Sequence, residues 1–190
     1  MNDRLANLLG ATALNVADLA LAEIRGATGT SGSASAALVM LAEAPDLAVT
    51  DLGRRIGLSQ PAAARMVDSL EREGLVTRQS GPGRTVAVRL TQAGRRSVTR
   101  LLERRGDVLR QLVAGLDAGE QEVLAALLEK VLRGVHERVE HQTQTPTERI
   151  GDLVCRLCDR AACTQHGAAC PVSVAQRVLD GSAEGGPMNR

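Results

Sequence analysis

The order of capping and turn residues between positions 50 and 90 constrains the fold more than any other feature of the sequence. Thr50 is a residue type that caps helix N-termini and Gly57 is a type that ends helices, so a short helix is predicted between them. Ser59 is the next N-cap, and the helix that it begins stops at Gly74. Two short helices joined by a glycine predict a helix-turn-helix.

A β-hairpin is predicted directly after the second helix. Two strand-like runs, 75–79 and 85–90, flank the sequence Ser-Gly-Pro-Gly at 80–83, which is typical of a turn. The second run alternates between apolar and polar residues, as a half-buried strand does. The predicted fold class is therefore mainly α with a small β-hairpin wing, a winged helix-turn-helix.

Long helices complete the predicted fold. The sequence contains no Phe, Tyr or Trp, so its core must be aliphatic, which favours helices packed through leucine ridges. Residues 5–24 are apolar on two sides of a helix, and residues 95–140 carry long apolar stripes separated by a capping box at Asp117 and Glu120. Together these stripes present more apolar surface than one small lobe can bury. They predict a helical dimerisation platform and a homodimer.

The domain organisation follows from these elements. Residues 1–141 are predicted to form one domain, with the dimerisation helices at 5–24 and 95–140 and a DNA-binding lobe at 35–94. A polar linker is expected at 142–150. A Cys-rich segment is expected at 151–180, and a disordered Gly- and Pro-rich tail at 181–190.

The charge distribution favours a phosphate-binding face. The whole chain has a net charge of +1, but residues 51–110 hold 13 Arg against 6 Asp and Glu, a net charge of +7. A basic middle within a nearly neutral chain suits a protein that presents one face to duplex DNA. The lack of aromatic side chains removes base stacking as a way to hold single strands.

The candidate DNA contacts lie on the outward side of the second helix and at the wing tip, since a helix fits the major groove. Arg65 can reach a guanine edge or a phosphate, and Gln60 can pair with adenine or a phosphate. Arg84, near the hairpin tip, can enter the minor groove. The full predicted set is Ser59, Gln60, Pro61, Ala62, Arg65, Ser69 and Arg84.

The run RMVDSLEREGLV from Arg65 to Val76, and the closing LTQAG at 90–94, resemble the core of the MarR family. The resemblance covers about residues 5–140 and implies a dimeric regulator of transcription that binds a double-stranded DNA operator, with repression as the commoner outcome. It also implies an effector pocket for small molecules between platform and lobe, whose ligand the sequence does not name. The family wing usually carries Asp-x-Arg, whereas this wing reads Pro-Gly-Arg at 82–84.

All four cysteines lie within sixteen residues, which points to metal binding in a reducing compartment. Four thiolates can close a tetrahedral zinc site, and His166 can replace one of them. The predicted ligands are Cys155, Cys158, Cys163 and Cys170. An iron–sulfur cluster and a thiol redox switch without metal stay open as alternatives.

Other function classes fit the sequence less well. No nucleophile elbow, phosphate loop or HExxH motif is present, so the chain is not expected to be an enzyme. A winged helix that binds protein instead of DNA stays open, although the Arg residues of the two short helices argue against it. His136 and His141 are interpreted as helix-surface residues.

A cytoplasmic location without membrane contact is expected. No signal peptide is recognised, and Asn7, Asn15 and Asp18 interrupt the first apolar segment, so no stretch is expected to reach the length of a membrane span.

Overall fold

A computed structural model describes residues 3–80, 86–142 and 153–183. The chain divides into two compact units, Met1–Leu116 and Asp117–Arg190. Within the first unit, residues 32–90 are called the winged-helix lobe below. Within the second, residues 153–183 are called the cysteine segment.

The first unit contains five helices and three strands among its described residues. In chain order these are α1 (Asp3–Thr28), α2 (Gly32–Glu43), β1 (Leu47–Ala48), α3 (Val49–Arg55), α4 (Gln60–Arg72), β2 (Val76–Ser80), β3 (Val86–Leu90) and α5 (Gln92–Val113). The described part of the second unit includes α6 (Ala118–Gln142), α7 (Arg160–Cys163), a 3-10 turn (Gln165–Gly167) and α8 (Pro171–Ala183). The mainly α fold class is confirmed.

The three strands form one antiparallel sheet in the order β1-β3-β2. Val76 of β2 lies opposite Leu90, and Leu47 of β1 lies opposite Val88. The predicted hairpin is therefore correct, but the sheet has a third strand that the sequence did not predict. β1 has only two residues, too few to show the alternation that marks a strand.

The helix-turn-helix depends on two glycines. Gly57 has a φ of +76°, a backbone conformation that glycine adopts without steric cost. A Cβ added to Gly53 would lie 2.6 Å from the Cβ of Ala63, so only glycine lets α3 and α4 approach this closely. The prediction of Thr50 as an N-cap is wrong: α3 begins at Val49, and Ala48 precedes it without a side-chain cap, because β1 runs straight into the helix.

The core of the lobe is aliphatic, as predicted. Residues 34–41 of α2 are buried without interruption, so this helix lies in the interior of the unit. Side chains with at most 1% of their surface exposed surround it from α1, α3, α4, β3 and α5, namely Ile24, Leu52, Leu70, Val88 and Leu101. The lobe therefore has the continuous core that holds a small domain together.

Two helices begin with side-chain caps. The Thr91 hydroxyl accepts a hydrogen bond from the Gly94 N–H at 3.0 Å and donates to the Gly74 carbonyl at 2.7 Å. At the start of α6, the Asp117 carboxylate accepts from the Glu120 N–H and the Glu120 carboxylate accepts from the Asp117 N–H, each at 2.9 Å. The predicted capping box is therefore confirmed.

Helix α1 is long and largely uncovered. Among the described residues it is the one helix long and apolar enough to cross a membrane, with a mean hydropathy of 1.5 over 18 residues, of which 6% are buried. The expectation that no stretch reaches this length is therefore wrong. Asn7 and Asn15 lower the hydropathy of α1, but they carry no charge and do not bring it below that of a span.

The second unit differs from the sequence interpretation at one residue of α6. His136, interpreted as a surface residue, is 0% exposed, because α6 is not a free helix: α8 packs against it. The side chain of His141 and most of the expected linker lie outside the described residues. Helix α8 continues through Ala183, three residues beyond the expected end of the cysteine segment, and residues 184–190 lie outside the described residues.

Candidate nucleic-acid interface

Helix α4 presents one buried face and one accessible face. Ala63, Val67 and Leu70 are buried against the lobe. The predicted DNA contacts of α4 lie on other sides of the helix: Ser59, Gln60, Pro61 and Arg65 are exposed, and Ala62 and Ser69 are half-buried. The structure therefore brings these six predicted residues together along one helix. Arg84 lies outside the described residues.

Arg65 is available to a ligand. Neither Arg65 nor Arg72 has a hydrogen bond or ion pair with any part of the chain that the structure describes, and both are exposed. By contrast, Arg54 of α3 contacts Asp51 at 2.9 Å. An exposed guanidinium without an internal partner is free to bind a base edge or a phosphate.

Two of the predicted hydroxyl contacts differ in availability. Ser59 lies at the N-cap position of α4, but its side chain makes no capping hydrogen bond, so the hydroxyl is not used by the helix. The Ser69 hydroxyl donates to a Glu73 carboxylate oxygen at 2.9 Å. A DNA contact from Ser69 would have to compete with that bond.

Arg78 connects α4 to the wing, a link that the sequence interpretation missed. Its Nη2 donates to the Asp68 carboxylate at 2.6 Å, its Nη1 pairs with Glu71, and its backbone N–H donates to Glu71 Oε1 at 3.1 Å. The hydrogen bond to Asp68, followed by that to Glu71, raises the pKa of Arg78. The sequence contains a pattern that could have predicted this link: two carboxylates lie three residues apart on a helix, and an Arg follows in the next strand.

A second ion pair joins the central strand of the sheet to the residue before β1. Arg89 on β3 donates from Nη2 to Asp46, next to β1, at 2.8 Å. Asp46 has a φ of +68°, a conformation that Asp tolerates better than most residues. The hydrogen bond from Arg89 lowers the pKa of Asp46. Because Arg78 and Arg89 form ion pairs within the protein, part of the positive charge of residues 51–110 is neutralised internally.

The four cysteines form a partly connected cluster. All are half-buried and free of disulfides. Cys158 and Cys170 lie near Cys163, and burial together with these two neighbours raises the pKa of Cys163. The pKa of Cys170 is lowered: burial acts against this, but the Ser173 hydroxyl and nearby backbone N–H groups donate to the sulfur.

The cluster does not have the geometry of a metal centre. Over residues 3–80, 86–142 and 153–183, no group of three or more His, Cys, Asp or Glu side chains is arranged to hold a metal ion. His166, the alternative ligand, is exposed with a φ of +56°. Zinc binding by the four cysteines stays a prediction.

The sequence and the fold were compared with known proteins. The sequence profile described as the MarR family matches residues 28–84, from the end of α1 to the wing. Over these residues the chain carries a MarR family winged-helix domain. A MarR family protein from Bacillus stearothermophilus has a similar structure, with a TM-score of 0.64 and 28% identity over 71% of this chain and 98% of that one.

Two further comparisons are with MarR itself and with another transcriptional regulator. The apo form of wild-type MarR from E. coli gives a TM-score of 0.58 at 26% identity, over 67% of this chain and 96% of that one. An uncharacterised HTH-type transcriptional regulator of Bacillus subtilis, YdgJ, is 26% identical over 111 residues, which are 57% of this chain and 68% of the relative. MarR family members are DNA-binding transcriptional regulators and not enzymes, and the expected absence of enzyme activity rests on that assignment.

Proposed function

We propose that this chain binds a specific double-stranded DNA operator as a homodimer in the cytoplasm and represses transcription. The observation that carries the proposal is the accessible side of α4, where Gln60 and Arg65 are exposed and Arg65 has no partner among the residues that the structure describes. The N-terminal part of a recognition helix is the part that reaches base edges in helix-turn-helix proteins. The unused hydroxyl of Ser59 supplies a further donor at that end.

The homodimer is supported by apolar surface on both units, each considered by itself. Helix α1 exposes 46–70% of five leucines, namely Leu5, Leu8, Leu9, Leu14 and Leu19. Helix α6 exposes 41–62% of a second apolar row, namely Val123, Leu127, Leu128, Val131 and Val135. Exposed apolar side chains in this number favour an interaction site, and MarR family regulators act as dimers.

Operator binding is tested by selecting duplexes from a random pool and measuring affinity for the selected sequence. Arg65→Ala is expected to weaken binding by about 1–3 kcal/mol and to relax the choice of base at one position. Arg72→Ala is the matched control, since Arg72 is equally exposed but lies in the last turn of α4. If no sequence is enriched, or if both variants bind as the parent does, the proposed interface is wrong.

The oligomeric state needs a separate measurement. Light scattering at micromolar concentration is expected to give twice the mass of one chain, and a monomer would contradict the dimer. Repression is tested by in vitro transcription from a promoter that overlaps the selected operator. Unchanged or increased transcript would rule out repression at that promoter, while operator binding would still stand.

We also propose that Cys155, Cys158, Cys163 and Cys170 bind one zinc ion. The proposal is supported by the proximity of Cys158 and Cys170 to Cys163 and by the small number of buried residues in the cysteine segment, which a metal would compensate. Zinc prefers four soft ligands in a tetrahedral arrangement, and deprotonated thiolates repel one another unless a cation lies between them.

Metal analysis and an absorption spectrum after anaerobic, reducing purification test this second proposal. About one colourless zinc per chain is expected, and the double variant Cys158→Ser/Cys163→Ser should retain none. His166→Ala is the matched control and should keep the metal if all four ligands are cysteines. A brown protein would indicate an iron–sulfur cluster instead. A metal-free parent would leave the thiol redox switch as the remaining alternative.

A further inference from the structure

Three hydroxyl groups lie in contact where α1 meets the winged-helix lobe. Helix α1 ends at Thr28 and α2 begins at Gly32. Thr30, in the connection between them, is 3% exposed, and Ser35, at the start of α2, is 0% exposed. The hydroxyl oxygens of Thr28 and Thr30 lie 2.7 Å apart, and those of Thr30 and Ser35 lie 2.8 Å apart. These three residues are called the hydroxyl chain below, and they join the last turn of α1 to the first turn of α2.

The direction of each hydrogen bond in the hydroxyl chain is fixed. Each hydroxyl has one proton to donate, and Thr28 donates its proton to the Ile24 carbonyl at 2.8 Å. The Thr30 hydroxyl therefore donates to Thr28, and the Ser35 hydroxyl donates to Thr30. The backbone N–H of Thr30 also donates to the Thr28 hydroxyl oxygen, at 3.3 Å. A displacement of α1 relative to α2 would leave a buried hydroxyl without its partner, which costs free energy.

Apolar packing also holds α1 in place. The buried residues of α1 are Ala20 and Ile24, and the helix contacts α5. Apolar contacts are not directional, so they tolerate small rotations of a helix. A hydrogen bond depends on both distance and angle, and the hydroxyl chain therefore gives this junction a preferred direction.

A small rotation at the junction is amplified along α1. The helix rises about 1.5 Å per residue, so Leu5 lies about 35 Å from Thr28. A rotation of about 5° at Thr28 would move Leu5 by about 3 Å, close to the spacing of about 3.4 Å between base pairs of duplex DNA. The exposed leucines of α1 belong to the proposed dimer surface, and the proposed DNA contacts lie on α4. The angle of α1 therefore affects the distance between the two α4 helices of such a dimer.

We propose that the hydroxyl chain fixes the direction in which α1 leaves the lobe, and so sets the spacing of the two half-sites that the homodimer accepts. The inference rests on the proposed operator binding and homodimer, and it adds a determinant of specificity to them. Thr28, Thr30 and Ser35 are positioning residues, since they lie at the junction and not on α4. A dimer gains affinity from a second half-site only at spacings that its geometry reaches.

Spacing-dependent binding of the full chain tests the proposal. Two copies of the half-site from the selected operator are joined in duplexes whose centre-to-centre spacing varies by one base pair at a time. The parent should bind one spacing about tenfold or more tightly than the spacings one base pair longer or shorter. Thr30→Val/Ser35→Ala replaces both partners of one hydrogen bond with little change in shape, so the fold should persist. In this double variant the preference should fall below about threefold, while affinity for a single half-site stays within about twofold of the parent.

Two further variants are controls. Thr30→Ser keeps the hydroxyl and should keep the spacing preference of the parent. Ser33→Ala removes a hydroxyl from the same turn of α2, where it contacts the Ser31 hydroxyl at 3.2 Å and not the hydroxyl chain, and it should also keep the preference. Light scattering and urea denaturation show whether each variant is a folded dimer. If the double variant does not fold, Ser35→Ala alone decides, and it should reduce the preference by about threefold.

The outcomes separate this inference from the proposed function. An unchanged spacing preference in the folded double variant, or in Ser35→Ala where the double variant does not fold, would overturn the role of the hydroxyl chain. An equal loss of preference in Ser33→Ala would overturn it too. A parent that binds its operator as a dimer but accepts all spacings equally would also overturn it, and the proposed function would stand. A monomeric parent, or one that selects no operator, would overturn the proposed function and this inference with it.

Discussion

The winged-helix lobe and the cysteine segment contain similar numbers of short helices, but they differ in how many buried apolar side chains lie between those helices. In the lobe, Leu38, Leu52 and Val88 are 0% exposed and belong to one aliphatic core. In the described part of the cysteine segment, buried residues occur only at the start of α8. A region with a core keeps its shape by itself, whereas a region without one depends on cross-links or on a neighbour.

Leu70→Ala is expected to have the largest effect on stability among the substitutions that test this difference. Leu70 is 1% exposed, and its truncation leaves a cavity, so unfolding of the lobe should become easier by about 2–5 kcal/mol. Urea denaturation followed by circular dichroism measures the loss, because the chain has no aromatic fluorophore. Arg72→Ala, on the same helix but exposed, is the control and should change stability by less than about 0.5 kcal/mol.

The same variant can also break the comparison. All four thiols lie in the cysteine segment, so the rate of thiol labelling under native conditions reports on that segment alone. Labelling in Leu70→Ala at low urea is expected to match the parent. Faster labelling would mean that the segment takes its order from the lobe core and not from its own cross-links.

A smaller effect is expected where α3 and α4 meet. Gly53→Ala places a methyl group 2.6 Å from the Cβ of Ala63, and the helices must separate to relieve the clash, at a cost of about 1–3 kcal/mol. Gly26→Ala is the matched control on α1, since an added Cβ there meets nothing within 4 Å, and it should be neutral or slightly stabilising. Equal urea midpoints for both variants would contradict the close approach.

Arg78→Ala should cost about 1 kcal/mol of lobe stability, since the guanidinium is 28% exposed and solvent weakens its two ion pairs. Arg54→Ala, which loses an exposed pair within one helix, should cost less than half as much. Both are measured by urea denaturation. A loss in Arg54→Ala that equals the loss in Arg78→Ala would show that the link between α4 and β2 adds no more stability than an exposed ion pair within one helix.

The smallest expected effect is a pH dependence at Asp46. Because Arg89 lowers the pKa of Asp46 from 3.8, the pair stabilises the fold above that value, and the contribution disappears as the pH falls through the lower pKa of the folded state. Asp46→Asn should therefore be less stable than the parent near neutral pH, and the difference should shrink as the pH falls below 3.8. Asp18→Asn, on the surface of α1, is the charge control. Urea midpoints that do not converge at low pH would contradict this linkage.

The sequence predicted the lobe well because its signals are local. Ser59, Gly57 and Thr91 mark helix ends through their own side chains or backbone, and the alternation of β3 is visible within five residues. β1 escaped prediction because a strand of two residues exists only through its pairing with Val88. The start of α3 was misplaced at Thr50 for the same reason.

Contacts between distant parts of the chain were the main omissions. The burial of His136 depends on a helix that begins thirty-five residues later, and no local pattern of α6 indicates it. The pairing of Arg78 with Asp68 depends on how the wing folds back on α4. The spacing of the cysteines grouped all four as candidate zinc ligands, but spacing alone does not fix the positions of their sulfur atoms, and zinc binding remains a prediction.

The link from Arg78 to α4 has a consequence for the DNA. Because one guanidinium joins β2 to two carboxylates of α4, these two elements would meet the duplex in a preset orientation in the proposed interface and would lose little conformational entropy on binding. If the protein surface changes its shape little on binding, the DNA has to deform to fit it. We therefore expect affinity to depend on flexible pyrimidine–purine steps at positions that no side chain touches, since such steps bend at low energetic cost.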